Sequence, residues 1–279
     1  MQRLVVAAPG VALIEWERIE QDTGPITWSF GCPTSSNFAV TEYCCYRGCP
    51  QTPISYVTPI HPERSRIMSQ PIVYGDAIST YVRTVRLALE EKGVSHTLAA
   101  VDLVKGQHKE KDHLARHPWG KMPAFEHAGI VFYEASAILR YIDEVFPEPA
   151  LMPSTPVERA RVNQVMSIVD SYGYPASITN IFIPRVLVPA LGGQTDEAQV
   201  DAAKPQAALF LKEIGRLLDG ANYFGGTNVS LADLHVLPVL TYLQATPEGQ
   251  ALIAATPNIA AWMGRMSERS SVQAVMPAA

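Results

Sequence analysis

Regular patterning of apolar and polar positions begins near Met68 and runs, in short segments, to Phe146. Pro71 to Gly75 predicts a strand. The stretch TYVRTVRLALEEKG from Thr80 predicts a helix, because Val82, Val85 and Leu89 recur at helical spacing, Arg83 and Glu90 fall off that face, and Gly93 is placed to end it. Thr97 to Asp102 predicts a second strand, and the polar stretch from Val104 to Gly120 predicts short helical turns. Met122 to Phe125 and Ile130 to Tyr133 predict a hairpin around Glu126 to Gly129. A helix follows Glu134, with Ile138, Tyr141, Ile142 and Val145 inward and Pro147 as its stop. The order βαβ then ββα predicts a small mixed sheet with helices packed on it.

Pro147, Pro149, Pro153 and Pro156 then punctuate a stretch that reads as a semi-rigid link. Beyond it every signal is helical. Val162, Val165, Met166 and Val169 form one apolar face, Ala198 to Leu218 and Ser230 to Leu243 give two more helices, and Pro247 and Pro257 sit at first-turn positions of two others. Residues 1–67 differ: prolines recur and neither periodicity is sustained. The expected organisation is therefore a leader over 1–67, an α/β domain over 68–149 and an all-helical domain over 156–279. Two readings of the leader stay open, a disordered extension or an upstream over-reading of a gene whose start codon encodes Met68.

With 279 residues, 47% of them hydrophobic, the chain can bury a sizeable core without metal or disulfide staples. A net charge of −5 argues against sequence-independent binding to nucleic acid or anionic lipid, and favours small-molecule chemistry. The nearly apolar run Leu4 to Ile14 is broken by Pro9 and Gly10 and is too short to span a bilayer; Glu15 to Arg18 stand where a signal-peptide cleavage site belongs. No membrane partner is expected. All four cysteines, Cys32, Cys44, Cys45 and Cys49, lie in the leader, without paired CxxC motifs or paired histidines at finger spacing, so reduced cytoplasmic thiols or a poorly ordered segment are expected rather than a metal site. Any sulfur nucleophile must then come from a substrate.

Three segments occur in an order and spacing with a family likeness: YGDAISTYVRTVRLALEEKG, GQHKEKDHLARHPWGKMPAFE and VFYEASAILRYID. With them the chain resembles the serine-type glutathione S-transferases of the phi and theta kinds and their bacterial relatives, most closely over Pro71 to Phe146. The helical part is similar through NVSLADLHVLP, which looks like the family's buried capping box and hydrophobic staple, with Ser230 as N-cap, Asp233 as the N3 acid, and Val229 and Leu234 closing the staple. The resemblance implies a thioredoxin-like glutathione-binding domain followed by an all-α domain. It also implies glutathione as co-substrate with no metal, a hydrophobic electrophile, a homodimer, and a cytoplasmic detoxification role.

The chemistry behind that likeness is thiol activation. A free thiol has a pKa near 8.5 and only its thiolate is a competent nucleophile. By resemblance Ser79, at the start of the first helix, donates a hydrogen bond to the glutathione sulfur, aided by the positive end of the helix dipole. Alternatives stay open: Ser79 could simply cap the helix, and Thr80 or Tyr74 could supply the hydroxyl. Pro123 matches the family's cis-proline, which turns the backbone of Met122 toward the cysteinyl part of glutathione. His108 and Lys109 match the pair facing the glycyl carboxylate, and Lys121 can approach the same end. Glu134 matches the acid that receives the γ-glutamyl ammonium.

One position departs from the family: Ala135 stands where a serine usually binds the γ-glutamyl carboxylate. That loses one hydroxyl, worth about 1 kcal/mol of affinity, while leaving the N–H of a helix start. Tyr81, Tyr172, Tyr174 and Phe182 are candidates for an electrophile pocket between the domains, or for ordinary core packing. A lyase, isomerase or peroxidase acting on a glutathione adduct stays open, as does a non-catalytic binding module.

Overall fold

The computed structural model describes residues 69–276, all within one compact unit, Thr58–Ala279. The expectations for the leader and its four cysteines lie outside the described residues. Strand β1 (Ile72–Gly75) leads into helix α1 (Thr80–Glu91) and strand β2 (Thr97–Ala100). A 3₁₀ turn (Gln107–Lys109) and helix α2 (Lys111–Arg116) fill the polar stretch. Strands β3 (Ala124–His127) and β4 (Ile130–Tyr133) precede helix α3 (Ala135–Val145). The sheet order is β2-β1-β3-β4, with β1 and β2 parallel and the other pairs antiparallel.

Local chemistry explains where the edges moved. Strand β2 stops before Asp102 because that residue's N–H takes the Gln107 side chain at 2.8 Å and its carboxylate accepts the N–H of Lys105 at 2.9 Å, which closes a turn. The β3–β4 hairpin turns on two residues, Ala128 and Gly129, both at positive φ, so β3 runs two residues further than the apolar run suggested. Strand β3 also starts later, at Ala124 opposite Tyr74, leaving Met122 outside the ladder after a cis Met122–Pro123 bond. Gly75 is required where β1 meets α1, since a Cβ there would lie 2.4 Å from the Val82 side chain.

Helices α1 and α3 bury the stripes their sequences predict: Val82, Val85 and Leu89 on one, Ile138 and Ile142 on the other, with Leu139 joining them. The proline-rich link is pinned rather than free. Lys92, its side chain fully buried, donates to Asp143 at 2.6 Å and to the Pro149 carbonyl at 2.7 Å; the N–H of Leu151 also reaches Asp143, and Leu151 accepts from the N–H of Leu231.

The helical part opens with α4 (Pro156–Ile168), capped by Thr155. The chain then keeps turning in a wider, i→i+5 register over Val169–Gly173 and Pro175–Leu187, with a last α-turn at Val188–Ala190. Sequence periodicity missed this extension because a wider turn departs from the 3.6-residue period; Pro175 and Pro184 lie within it. Helices α5 (Glu197–Leu218), α6 (Leu231–Gln244), α7 (Pro247–Ala254), α8 (Pro257–Ser267) and α9 (Ser270–Val275) complete the domain. The last of these carried no sequence signal. At the start of α6 the fully buried Asp233 carboxylate accepts from the Ser230 N–H and hydroxyl, the Phe224 N–H and the Trp262 indole, all within 3.0 Å. The predicted capping box is thus also the hub of the helical core. Among the described residues no helix is long and apolar enough to cross a membrane.

Candidate active site

The turn that joins β1 to α1 is held from three sides. Asp76 accepts the N–H of Ile78 at 3.1 Å and of Leu103 at 3.3 Å, Arg83 donates to the Ala77 carbonyl at 3.0 Å, and the Tyr242 hydroxyl donates to the Ile78 carbonyl. Ser79 follows at the N-cap of α1, half-buried, with extended φ and ψ of −69° and 130°. Its hydroxyl makes no capping hydrogen bond. A favoured capping residue that does not cap has an oxygen to spare, and it stands at the positive end of a 12-residue helix. The rival Tyr74 hydroxyl is engaged elsewhere: it donates to Glu126 at 2.8 Å and its ring carries the Arg116 guanidinium at 4.3 Å, while Thr80 is buried.

Beside this turn lies Met122, whose sulfur accepts the N–H of Asp76 at 3.1 Å. Strand pairing sets the neighbourhood: Tyr74 and Tyr133 both oppose Ala124, so Pro123 sits beside the residue that follows Tyr133, Glu134. Glu134 is exposed, adopts φ +69°, and makes no capping bond with its side chain. Non-glycine residues in such a conformation cluster at functional sites. Ala135, buried, and Ser136 then begin α3, whose first two N–H groups have no acceptor within the helix.

The cationic residues gather at the far end of the polar loop. Gly120, at φ +58°, brings the loop within 2.8 Å of the His108 carbonyl and 3.0 Å of the Lys109 side chain, measured from the Cβ it lacks. Lys109 donates to the Trp119 carbonyl at 3.3 Å, and the His113 ring bonds the Lys121 carbonyl at 2.7 Å. Burial, then the nearby Lys109 and His113, hold the His108 imidazole below its ordinary pKa, so it is neutral at pH 7 and the positive charge belongs to Lys109 and Lys121. Burial lowers His117 likewise, against the pull of Glu134.

The helical domain closes the other side. Phe182 packs on Tyr242 with ring centroids 4.5 Å apart, and Arg83 stands 4.9 Å over the Tyr242 ring, so Phe182 reaches the Ser79 turn through Tyr242. Tyr81 stacks on Tyr174 at 5.0 Å, and its hydroxyl donates to Asp170 at 2.8 Å. Tyr172 is 67% exposed and lines a separate cleft of about 350 Å³ with Ala176, Asn180 and Gln206.

The sequence-derived residues Ser79, Met122, Pro123, Glu134 and Ala135 therefore sit around one turn, with His108, Lys109 and Lys121 at one end of the loop that leads to it. Three residues escaped sequence reasoning: Tyr242, Asp170 and His235. The last two carried a signal, a lone acid in MSIVDSYGY and a lone imidazole in LADLHVLP, since polar groups inside apolar helical runs require partners. Among the described residues no group of three or more potential metal ligands occurs.

Comparison with known proteins agrees over the same span. Residues 70–144 match the family model "Glutathione S-transferase, N-terminal domain" and residues 174–270 match "Glutathione S-transferase, C-terminal domain". Glutathione S-transferase F6 of Arabidopsis thaliana is 31% identical over 205 residues, covering 73% of this chain and 98% of that protein. The crystal structure of glutathione transferase F7 from Populus trichocarpa superposes with a TM-score of 0.67 at 30% identity, covering 74% of this chain and 97% of that one. Glutathione S-transferase I from mais, in complex with an atrazine glutathione conjugate, gives a TM-score of 0.66 at 29% identity over 74% and 96% of the two chains.

Proposed function

The chain belongs to the glutathione S-transferase family, and we propose that it conjugates the thiolate of glutathione to an apolar electrophile, with the Ser79 hydroxyl donating to the sulfur. The observation that carries this assignment is the uncommitted Ser79 hydroxyl at the start of α1, near Met122, which lies outside the strand ladder before its cis bond to Pro123. Glutathione has two carboxylates and one ammonium. Lys109 and Lys121, with neutral His108 as a hydrogen-bond partner, would take the glycyl carboxylate; the N–H groups at Ala135 would take the γ-glutamyl carboxylate, and Glu134 the ammonium. Met122 would pair through its backbone with the cysteinyl residue, as an added strand does. The conjugate bound by the mais enzyme supports an aromatic or heteroaromatic electrophile for this chain too.

In the mechanism, α1's first N–H groups and the Ser79 hydroxyl stabilise negative charge on sulfur, so the thiol proton leaves to solvent before attack. The thiolate then forms a carbon–sulfur bond, and the leaving group departs with the electron pair of the bond it breaks. Phe182, with Tyr242 and Ile78, would offer the apolar wall for the electrophile, and Tyr81 and Tyr174 would stand behind it, while Tyr172 is left out of the pocket in its separate cleft. We assign 68–149 to glutathione binding and 156–279 to the electrophile domain. A homodimer in the cytoplasm with a detoxification role completes the proposal. Retention on immobilised glutathione together with turnover of an aromatic chloride tests it. Retention without turnover would leave a binding module, and neither would end the assignment.

A further inference from the structure

Behind the Ser79 turn lies a polar cluster that the transfer chemistry does not use. A single Asp170 oxygen, Oδ1, accepts the Tyr81 hydroxyl at 2.8 Å and stands 2.7 Å from Nε2 of His235. The carboxylate can only accept, so Nε2 carries the proton. His235 is completely buried, and its Nδ1 has no partner among the described residues. The Tyr81 ring lies against both neighbours, 5.0 Å from Tyr174 at an interplanar angle of 18° and 5.5 Å from the His235 ring. Tyr81 belongs to α1 of the first domain, Asp170 to the wide-turn segment after α4, and His235 to α6. Three elements from two domains therefore meet on one carboxylate oxygen.

The position of Tyr81 gives this cluster a consequence. Tyr81 lies in the first turn of α1, two residues after the N-cap Ser79, so a rotation of that turn carries Ser79 with it. Rotating α1 by about 10° would move a group roughly 5 Å from its axis by about 0.9 Å, and displacements near 1 Å at a reacting centre cost up to about a hundredfold in rate. At the opposite end, α1 is anchored by Glu91, which accepts from Arg269 at 2.6 Å and 2.7 Å. That pair and the buried stripe of Val82, Val85 and Leu89 hold the body of α1, and the Tyr81–Asp170 hydrogen bond is a polar tie in its first turn.

We infer that Asp170 is a positioning residue, which holds Tyr81 and His235 together and so sets the rotation of α1 that aims the Ser79 hydroxyl at sulfur. This rests on Ser79 being the sulfur's partner, as proposed above.

Tyr81→Phe removes one hydroxyl and keeps the stack on Tyr174, so folding is not at issue. His235→Phe removes the imidazole donor, and His235→Gln returns an N–H near the same place. Ser79→Ala is measured alongside. The readouts are the ionisation midpoint of bound glutathione, from thiolate absorbance, and the separate values of kcat and KM for glutathione. Tyr81→Phe and His235→Phe are expected to raise the bound-thiol midpoint and to cut kcat about three- to tenfold, with KM within about twofold, as loss of an aiming contact requires. His235→Gln is expected to recover most of kcat. If Ser79→Ala changes the midpoint while Tyr81→Phe does not, the inference fails and the role of Ser79 stands. If Ser79→Ala changes nothing, that role fails and the inference goes with it. A rise in KM with kcat untouched would also overturn it, because it would place the cluster in binding rather than aim.

Discussion

Replacing Ser79 by alanine tests the sulfur chemistry most directly. The hydroxyl is half-buried, at the N-cap of α1, and makes no capping bond, so its removal breaks no hydrogen bond of the free protein. What is lost is the bond to the thiolate. A hydrogen bond to a charged group contributes about 2 kcal/mol, equivalent to about 1.5 pKa units. Starting from a thiol near 8.5, the bound sulfur would titrate near 7 in the natural protein and return toward 8.5 in the variant. At pH 7 the thiolate fraction then falls from about one half to about 3%, roughly sixteenfold. The more basic thiolate of the variant is intrinsically more reactive, which returns up to about fivefold at a Brønsted slope near 0.45. The expected loss in kcat/KM at pH 7 is therefore between about threefold and sixteenfold, and it disappears between about pH 8 and pH 9 as both thiols ionise. Thiolate absorbance of the glutathione complex gives the midpoint, and an aromatic chloride gives the rate. Tyr74→Phe is the control, because the Tyr74 hydroxyl is committed to Glu126. An unshifted midpoint in Ser79→Ala refutes the assignment, whatever the rate does.

Other consequences can be checked separately. Ala135→Ser restores a hydroxyl at the start of α3 and should lower KM for glutathione about fivefold, the equivalent of one hydrogen bond; an unchanged KM would show that the backbone N–H groups already suffice. Asp233→Asn places an amide N–H against the donors of Ser230 inside the core, and should cost about 3 kcal/mol in urea unfolding; a loss below about 1 kcal/mol would contradict the four-donor geometry. Burial alone would raise the Glu91 carboxyl, but the Arg269 and Ser271 hydrogen bonds outweigh it and hold it below its ordinary value. A carboxylate depressed in this way stabilises the fold above its unfolded pKa, near 4.5, and loses that contribution as pH falls through its lower folded value. Glu91→Gln should thus cost about 2 kcal/mol at pH 7 and progressively less below pH 4.5; a difference from the natural protein that persists undiminished in acid would count against the ion pair.

Much of this was written locally in the chain. Val82, Val85 and Leu89 recur at the helical period, Ser230 and Asp233 stand at capping-box spacing, and Ile130 to Tyr133 follows a glycine turn, so each element could be assigned from neighbours a few residues away. Ser79, Pro123 and Glu134 stood out because a family motif fixes their spacing within single segments. Where signals overlapped the edges slipped, as at β3, where Met122 looks like strand but leaves the ladder before Pro123.

Only the tertiary structure could decide which hydroxyl was free. Nothing in the sequence says that Tyr74 is bound to Glu126, 52 residues away, that Tyr81 reaches Asp170 across 89 residues, or that Tyr242 closes on Ile78 across 164. Periodicity reports which face of a helix is apolar, since that depends on the 3.6-residue turn alone. Which polar group finds a partner depends on how two domains dock, and docking joins residues whose separation along the chain carries no period to read.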